Sequence, residues 1–293
     1  MLRIIIALFL ASSLLNSSNL YAEEITLKYK HLDLNANLHL TEENGFNNIL
    51  LITHGTLAHN GMEIIATWQE LLADEGMSSL AINLSLGLDN RHGMYDCKTP
   101  HTHKHTDAIP EIAAWVDWLK TQGSQSIILA AHSRGGNQTA WYADTHSDPV
   151  IKGQILIAPQ TWSEQYEAAS YNKRYQHSLP DQLEKASQLA PDNMLTNTDF
   201  IYCEDTQVAA SSFVNYYQAN PRLDTPTLLS KTTLPTLVFS GSEDTIVADL
   251  FEKLETLNND AVQSIQIEGA DHFFRDLYMD EVTEHSLEFI EQL

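Results

Sequence analysis

Three side chains of the kinds used in nucleophilic catalysis each stand just after a predicted β-strand. Ser133 follows the apolar segment 126–131 within the run AAHSRGG, and a helix-like stretch continues to residue 145. A strand, a tight turn with serine at its apex and then a helix are the context of a nucleophile elbow. Asp244 follows the strand-like segment 234–240, and His272 follows another strand. A serine attacks a carbonyl carbon when a histidine takes its proton and a carboxylate orients that histidine, so these residues predict acyl-transfer chemistry.

The chain order Ser133, Asp244, His272 is that of the α/β-hydrolase fold and differs from the order in the two other common serine-hydrolase folds. An earlier motif agrees with this order, because the strand-like segment 49–53 leads into His-Gly-Thr at 54–56. With these four motifs in sequence, most of the chain resembles the α/β-hydrolase superfamily. The resemblance implies an α/β fold with a mostly parallel, doubly wound sheet and a helical cap insertion.

The resemblance also implies a role for each residue. Ser133 is expected to be the nucleophile, His272 the general base and then the general acid, and Asp244 the group that orients the histidine. The backbone amides of Arg134 and Thr56 are expected to form the oxyanion hole that holds the charge developing on the substrate. This chemistry requires no metal and no organic cofactor.

Several neighbouring residues offer alternatives. The amide of Leu57 is a second choice for the oxyanion hole, and Glu243 is a rival to the adjacent Asp244, although the latter fits the Gly-x-x-Asp pattern that follows this strand in the family. His54 is interpreted as a turn residue that bonds to local backbone, because the catalytic histidine of this fold is expected near the C-terminus. Asp271, beside the candidate histidine, is interpreted as a turn former.

The other elements follow from hydrophobic periodicity. Strands are predicted at 25–40 (a hairpin), 49–53, 79–84, 126–131, 153–158, 236–240 and 264–267, and helices at 61–75, 107–122, after Ser133, and at 281–292. Strands that alternate with helices predict a mostly parallel sheet.

The segment 161–229 breaks this alternation, and we call it the cap. Its aromatic residues include Tyr166, Tyr171, Tyr175, Phe200, Tyr202, Phe213, Tyr216 and Tyr217. A helical cap over the active site is expected here, with most of these rings holding the cap together and the segment as a whole setting specificity.

A second unusual segment contains His101, His103 and His105. Alternate residues of an extended chain face one side, so these three histidines could ligate a metal ion. No fourth ligand can be assigned, and Lys104 within the group opposes a cation. The favoured prediction is therefore a polar rim of the active site, because the segment follows the C-terminal end of a strand, where ligands bind in open α/β sheets.

The formal net charge of −23 excludes nucleic acid and anionic membrane surfaces as main partners, because an acidic chain repels both. A small-molecule ester is the expected partner, with no stable membrane anchor, and the oligomeric state stays undetermined.

The first residues have the pattern of a secretory signal peptide, with Arg3 before an apolar run and a cleavage site near Ala22. We therefore predict a signal peptide at 1–22, an α/β-hydrolase domain at 23–293 and a periplasmic or secreted bacterial location. The exported part contains two cysteines, Cys97 and Cys203, and an oxidising compartment predicts a disulfide between them.

Taken together, the sequence predicts an exported serine hydrolase that cleaves a carboxylic ester through an acyl-enzyme intermediate. A thioesterase or an amidase or peptidase would use the same residues. An alternative of another class is a non-catalytic, His-rich metal-binding protein built on a hydrolase fold.

Overall fold

A central eight-stranded sheet organises the computed structural model, which describes residues 21–293. Its strands are β1 (Tyr21–Tyr29), β2 (Leu32–Leu40), β3 (Asn48–Thr53), β4 (Ser78–Asn83), β5 (Ser126–His132), β6 (Ile151–Ile157), β9 (Thr236–Gly241) and β10 (Val262–Ile267). They lie in the order β1-β2-β4-β3-β5-β6-β9-β10. The last six are parallel, whereas β2 runs antiparallel to both β1 and β4. The predicted hairpin and mostly parallel sheet are therefore confirmed.

Helices cover both faces of this sheet. Within residues 21–293 they are α1 (Glu63–Asp74), α2 (Ala108–Thr121), α3 (Arg134–Thr145), α4 (Glu164–Tyr175), α5 (Leu179–Ser187), α6 (Ala210–Tyr217), α7 (Thr225–Leu229), α8 (Leu250–Glu255) and α9 (Leu277–Ile290), with single 3-10 turns at His105–Asp107 and Pro221–Leu223. A parallel sheet that is covered on both faces has strands that are apolar at every position.

The alternation of side chains in β3 and β5 shows how the two cores arise. Leu50 and Ile52 pack in a core with Trp68 of α1, while Ile49 and Leu51 pack in another with Trp115 of α2. Successive residues of a strand point to opposite faces, so one apolar run supplies both cores. The carboxyl ends of the central strands are thereby fixed relative to one another, and it is there that the candidate catalytic residues lie.

The cap differs from the predicted helical insertion because it also contains a β-hairpin. Strands β7 (Met194–Phe200) and β8 (Cys203–Ala209) pair antiparallel and form a separate two-stranded sheet between α5 and α6. Residue His101 of the loop after β4 joins this hairpin, with backbone hydrogen bonds from its amide to Gln207 (2.8 Å) and from Ala209 to its carbonyl (2.8 Å).

A disulfide between Cys97 and Cys203 adds a covalent link between the same loop and the hairpin, with the two Cα atoms 5.3 Å apart. It closes a loop across a sequence separation of 106 residues. The chain-entropy model gives a loop of this size about 4.7 kcal/mol of stabilisation at most. The cap is therefore fastened to the catalytic domain at the hairpin.

The predicted signal peptide lies outside the described residues up to position 20. Tyr21 and Ala22 belong to β1, where they pair with Leu40 and His39. Cleavage after Ala22 would remove only this end of the strand. Across residues 21–293, every helix is too short or too polar to cross a membrane.

Candidate active site

The elbow that carries Ser133 is a sharp turn between β5 and α3. Ser133 has φ 56° and ψ −125°, a backbone conformation that is rare for a residue with a side chain. A Cβ atom on Gly135 would lie 2.2 Å from the carbonyl oxygen of His54, so only glycine fits there. Ala131 takes the place of the first glycine of the usual motif and is fully buried in β5 without disturbing the strand. The turn therefore lifts the serine side chain above the sheet edge.

The structure brings the three predicted catalytic side chains together. The Oγ atom of Ser133 lies 2.9 Å from Nε2 of His272, and Nδ1 of the same ring lies 2.7 Å from Oδ2 of Asp244. The loop after β9 carries the aspartate and the loop after β10 carries the histidine. Because β9 and β10 are parallel neighbours, both loops leave the sheet at the same edge. This is the geometry in which a serine can pass a proton to histidine while a carboxylate orients the ring.

Asp244 is held in its ionised form by its surroundings. Burial acts to raise its pKa, but the hydrogen bond and charge of His272 and the amides of Ile246 and Val247 outweigh burial, so the pKa is lowered. Those amides donate to Oδ1 at 2.7 and 3.1 Å. The rival Glu243 is exposed and does not contact the histidine.

Two further residues near the histidine have structural positions. Asp271 accepts a hydrogen bond from the amide of Phe273 (2.8 Å) and pairs with Arg275 (2.9 Å), as a turn former does. His132, which the sequence analysis did not single out, directs its Nε2 at the carbonyl oxygen of His272 (2.8 Å). Burial lowers the pKa of His132 to about 3, so this ring is neutral and supports the loop of the catalytic histidine.

The two residues predicted to supply the oxyanion hole face each other. Arg134 begins α3, and amides in the first turn of a helix have no partner within the helix. Its side chain donates from Nε to Oγ1 of Thr56 at 2.9 Å, which ties the elbow to the loop after β3. The alternative donor, Leu57, has φ 53° in that loop.

A buried arginine, which the sequence analysis missed, supports the loop after β3 through hydrogen bonds. Arg91 donates to the carbonyl oxygens of Ala58 (2.8 Å) and Leu84 (2.9 Å) and contacts Nε2 of His54 (3.1 Å). Burial, followed by the charge of Arg91, lowers the pKa of His54 to about 3. His54 is thus a neutral turn residue, with its Nδ1 2.9 Å from the carbonyl oxygen of Gly55. The only sequence signal for Arg91 was its place in the loop after a strand.

A cavity of about 410 Å³ opens above Ser133 and is covered by the cap. Polar residues from the catalytic domain, including Thr56, Arg134 and Gln160, form its floor. The cap contributes the aromatic rings of Tyr166, Tyr171, Tyr175, Tyr202 and Tyr217, and the charged side chains of Glu167, Lys173 and Arg174. This volume is that of a pocket for a small molecule.

The three histidines after β4 lie in the interior, so the prediction of a polar rim is wrong for them. His101 contacts His103 (Nδ1 to Nε2, 3.2 Å), and His103 contacts the hydroxyl of Tyr216 (2.9 Å). His105 contacts Oδ1 of Asn137 at 2.8 Å. Burial lowers the pKa of each ring, to about 4 for His101 and about 3 for the other two.

The hydrogen bonds of His103 and His105 join the loop to α6 and α3, whereas Nε2 of His101 is buried without a hydrogen-bond partner among the described residues. No set of three or more His, Cys, Asp or Glu side chains between residues 21 and 293 is arranged to hold a metal ion. His101, His103 and His105, named above as candidate metal ligands, pack together and form hydrogen bonds beneath the cap.

Comparison with known proteins agrees with this architecture. The family model described as "Serine aminopeptidase, S33" matches residues 46–274. A structure of Est1E from Butyrivibrio proteoclasticus with bound ferulic acid superposes with a TM-score of 0.65 at 20% identity, covering 91% of this chain and 99% of that one.

A serine hydrolase homologue from Coxiella burnetii gives a TM-score of 0.56 at 15% identity, covering 92% of this chain and 97% of the other. A search of curated protein sequences gave no significant match. At these identities the structural likeness shows the fold alone, whereas the family match spans both the elbow and the histidine loop.

Proposed function

Because this chain belongs to the serine aminopeptidase S33 family of α/β hydrolases, we propose that it is a serine hydrolase that cleaves a carboxylic ester through an acyl-enzyme. The observation that carries the proposal is the chain of contacts from Ser133 through His272 to Asp244, at 2.9 and 2.7 Å. Such a chain is what activates a serine hydroxyl, which is a weak nucleophile at its ordinary pKa.

In the proposed reaction, Nε2 of His272 takes the proton of Ser133 as Oγ attacks the carbonyl carbon. The ionised Asp244 stabilises the imidazolium that forms. The amides of Arg134 and Thr56 hold the oxyanion, and His272 then gives its proton to the leaving alcohol. Water then attacks the carbonyl carbon of the resulting acyl-enzyme while His272 takes a proton from it. The histidine gives this proton to Oγ of Ser133 as the acid leaves, so the serine is regenerated.

The cap cavity supports an ester with an organic acyl group of moderate size. Its volume of about 410 Å³ and its tyrosine walls suit a chain or ring rather than a polymer segment. The esterase among the structural neighbours, seen with ferulic acid, favours an ester over the amide suggested by the family description. Thioester and amide cleavage remain the alternatives, since they need the same groups.

Labelling with a fluorophosphonate probe tests the nucleophile. The wild-type protein should be labelled and should hydrolyse 4-nitrophenyl esters, and Ser133→Ala should abolish both. Ser170→Ala is the matched control, because Ser170 also lines the cavity but has no contact with the histidine. Labelling that persists in Ser133→Ala would overturn the assignment, and a parallel panel of thioesters and anilides identifies the bond that is cleaved.

We also propose that the protein works in the periplasm or outside the cell after its signal peptide is removed. The apolar N-terminal segment and the disulfide between Cys97 and Cys203 support this location. Mass spectrometry of the protein from a periplasmic extract should give an N-terminus near Glu23 and no free thiol. An intact Met1 in that fraction would contradict the proposal.

A further inference from the structure

The cavity carries an unusual charge for this acidic chain. Three cationic side chains line it, Arg134, Lys173 and Arg174, against one carboxylate, Glu167. Among the described residues 21–293, none of the three cations lies within 4.0 Å of a carboxylate oxygen. The chain as a whole has 39 acidic and 16 basic residues, so a pocket with more cations than carboxylates runs against its composition.

Glu167 forms no ion pair with these cations within residues 21–293. It faces both Arg134 and Arg174, whose charges act to lower its pKa, yet burial is the larger effect and raises it. Its carboxylate oxygens lie more than 4.0 Å from the nitrogen atoms of both guanidinium groups, so it forms no ion pair with either within residues 21–293. The guanidinium groups keep hydrogen-bond donors for a ligand.

Arg174 is held in place although its side chain is exposed. Its guanidinium carbon lies 4.2 Å from the ring centre of Tyr202, within the range of a cation–π contact. Tyr202 and Ile201 form the two-residue turn between β7 and β8, since Phe200 pairs with Cys203. A ring that is itself fixed can hold the arginine against the cavity.

That turn is strained and is held by specific bonds. Ile201 has φ 31° and Tyr202 has φ 73°, whereas a two-residue turn with two positive φ angles favours Asn-Gly. The hydroxyls of Tyr217 and Tyr175 accept the amides of Ile201 and Tyr202 at 2.9 and 2.8 Å, and the disulfide at Cys203 is the next residue. Strain of this kind persists only where the surroundings impose it, and it is concentrated at ligand sites.

We propose that Arg174, together with Arg134, binds a carboxylate at the far end of the substrate's acyl chain. The substrate class is then a monoester of a dicarboxylic acid, attacked by Ser133 at its esterified end while its free carboxylate lies against the arginines. This inference rests on the proposed function. A guanidinium group is suited to the task because its planar donors match both oxygens of a carboxylate.

Two 4-nitrophenyl esters of equal chain length test the proposal, the monoester of adipic acid and the hexanoate, which differ by a terminal carboxylate. A hydrogen bond to a charged group predicts that kcat/KM for the adipate is about tenfold to 100-fold higher. Arg174→Gln should remove this preference by raising KM for the adipate, so that the two esters are hydrolysed with similar kcat/KM. Arg174→Lys should keep part of the preference for the adipate. In the wild-type protein this preference should decrease as the ionic strength increases.

Lys185→Gln is the charge-matched control, because Lys185 is an exposed cation of the cap that lies outside the cavity. Equal rates on the two esters, or an Arg174→Gln variant that keeps the adipate preference, would overturn the inference. A preference for an ester with a trimethylammonium end would overturn it too and would assign binding to Glu167. If neither ester is cleaved in a reaction that requires Ser133, the proposed function itself fails, and that outcome is distinct from the others.

Discussion

Mild acid should strongly destabilise the fold, because five histidines are buried as neutral rings. His54, His103, His105 and His132 are each at most 2% exposed, and burial lowers the pKa of each to about 3. His101 is also fully buried, and its pKa is lowered to about 4. In the unfolded chain these groups titrate near 6.5. The unfolded state therefore binds more protons below that pH. The free energy of unfolding is therefore not reduced by these rings above pH 6.5, and it decreases as the pH falls from 6.5 toward 3.

The size of the effect follows from linkage. Each ring costs about 1.4 kcal/mol of unfolding free energy per pH unit, hence about 2 kcal/mol at pH 5 and about 10 kcal/mol for the five. Glu111 opposes them, since burial raises its pKa from 4.5 to about 7 and it gains about 2 kcal/mol over the same range. The expected net loss between pH 7.5 and pH 5 is about 8 kcal/mol, a large part of the 5–15 kcal/mol that is typical of a domain.

The slope of the unfolding free energy against pH can be measured by urea unfolding, followed by tryptophan fluorescence, at about pH 7.5, 6.5, 5.8 and 5.0. His105→Gln should reduce the slope by about 1.4 kcal/mol per pH unit, because it removes one titrating ring and keeps a donor for Asn137. His31→Gln, at an exposed position, is the control and should change nothing. A free energy of unfolding that stays flat from pH 7.5 to 5, or an unchanged slope in His105→Gln, would refute the reasoning.

Asp244→Asn should lower kcat by about 10⁴, the loss seen when a triad carboxylate is replaced in a serine protease, while Glu243→Gln should keep most of the activity; steady-state rates on one ester compare the two. Tyr202→Gly should raise the free energy of unfolding by about 1 kcal/mol, because glycine adopts the positive φ of this exposed position without strain, and should reduce the adipate preference because Arg174 loses its supporting ring. A stability that falls instead would show that the turn is unstrained. Reduction of the disulfide should lower the thermal midpoint, as scanning calorimetry with and without reductant would show, and an unchanged midpoint would contradict its stabilising role.

The parts of the fold that could be predicted are those in which local pattern and tertiary environment agree. The apolar runs at β3, β5 and β9 are buried on both faces, so they are distinct in the sequence. The candidate catalytic residues were found for a related reason, because each stands at the end of such a strand. The β7–β8 hairpin was missed because its strands expose several polar residues and carry no continuous apolar run.

Residues whose role depends on distant partners were harder to predict. His103 was interpreted as part of a rim, but its partner Tyr216 lies 113 residues further along the chain. Arg91 supports the loop after β3 by donating to backbone carbonyl oxygens. Because every residue has such an oxygen, residue types do not indicate these partners. His132 acts through the carbonyl oxygen of a residue 140 positions away. Such contacts exist only once the strands have been brought side by side.

The disulfide also governs how substrate can enter and product can leave. It joins residues 97 and 203, so the elbow at Ser133 lies inside a covalent ring that includes the loop after β4 and most of the cap. The cap cannot swing away as a hinged cover, because its hairpin is fixed both by this bond and by backbone pairing at His101. The helix α4 is bonded to the same hairpin through Tyr171 and Tyr175, at 2.8 Å each, whereas its contact with the loop after β9 is a single 3.4 Å hydrogen bond from the hydroxyl of Tyr166 to the carbonyl oxygen of Ile246 among the described residues. Exchange of substrate and product is therefore expected between α4 and the loop after β9, where this one contact has to open.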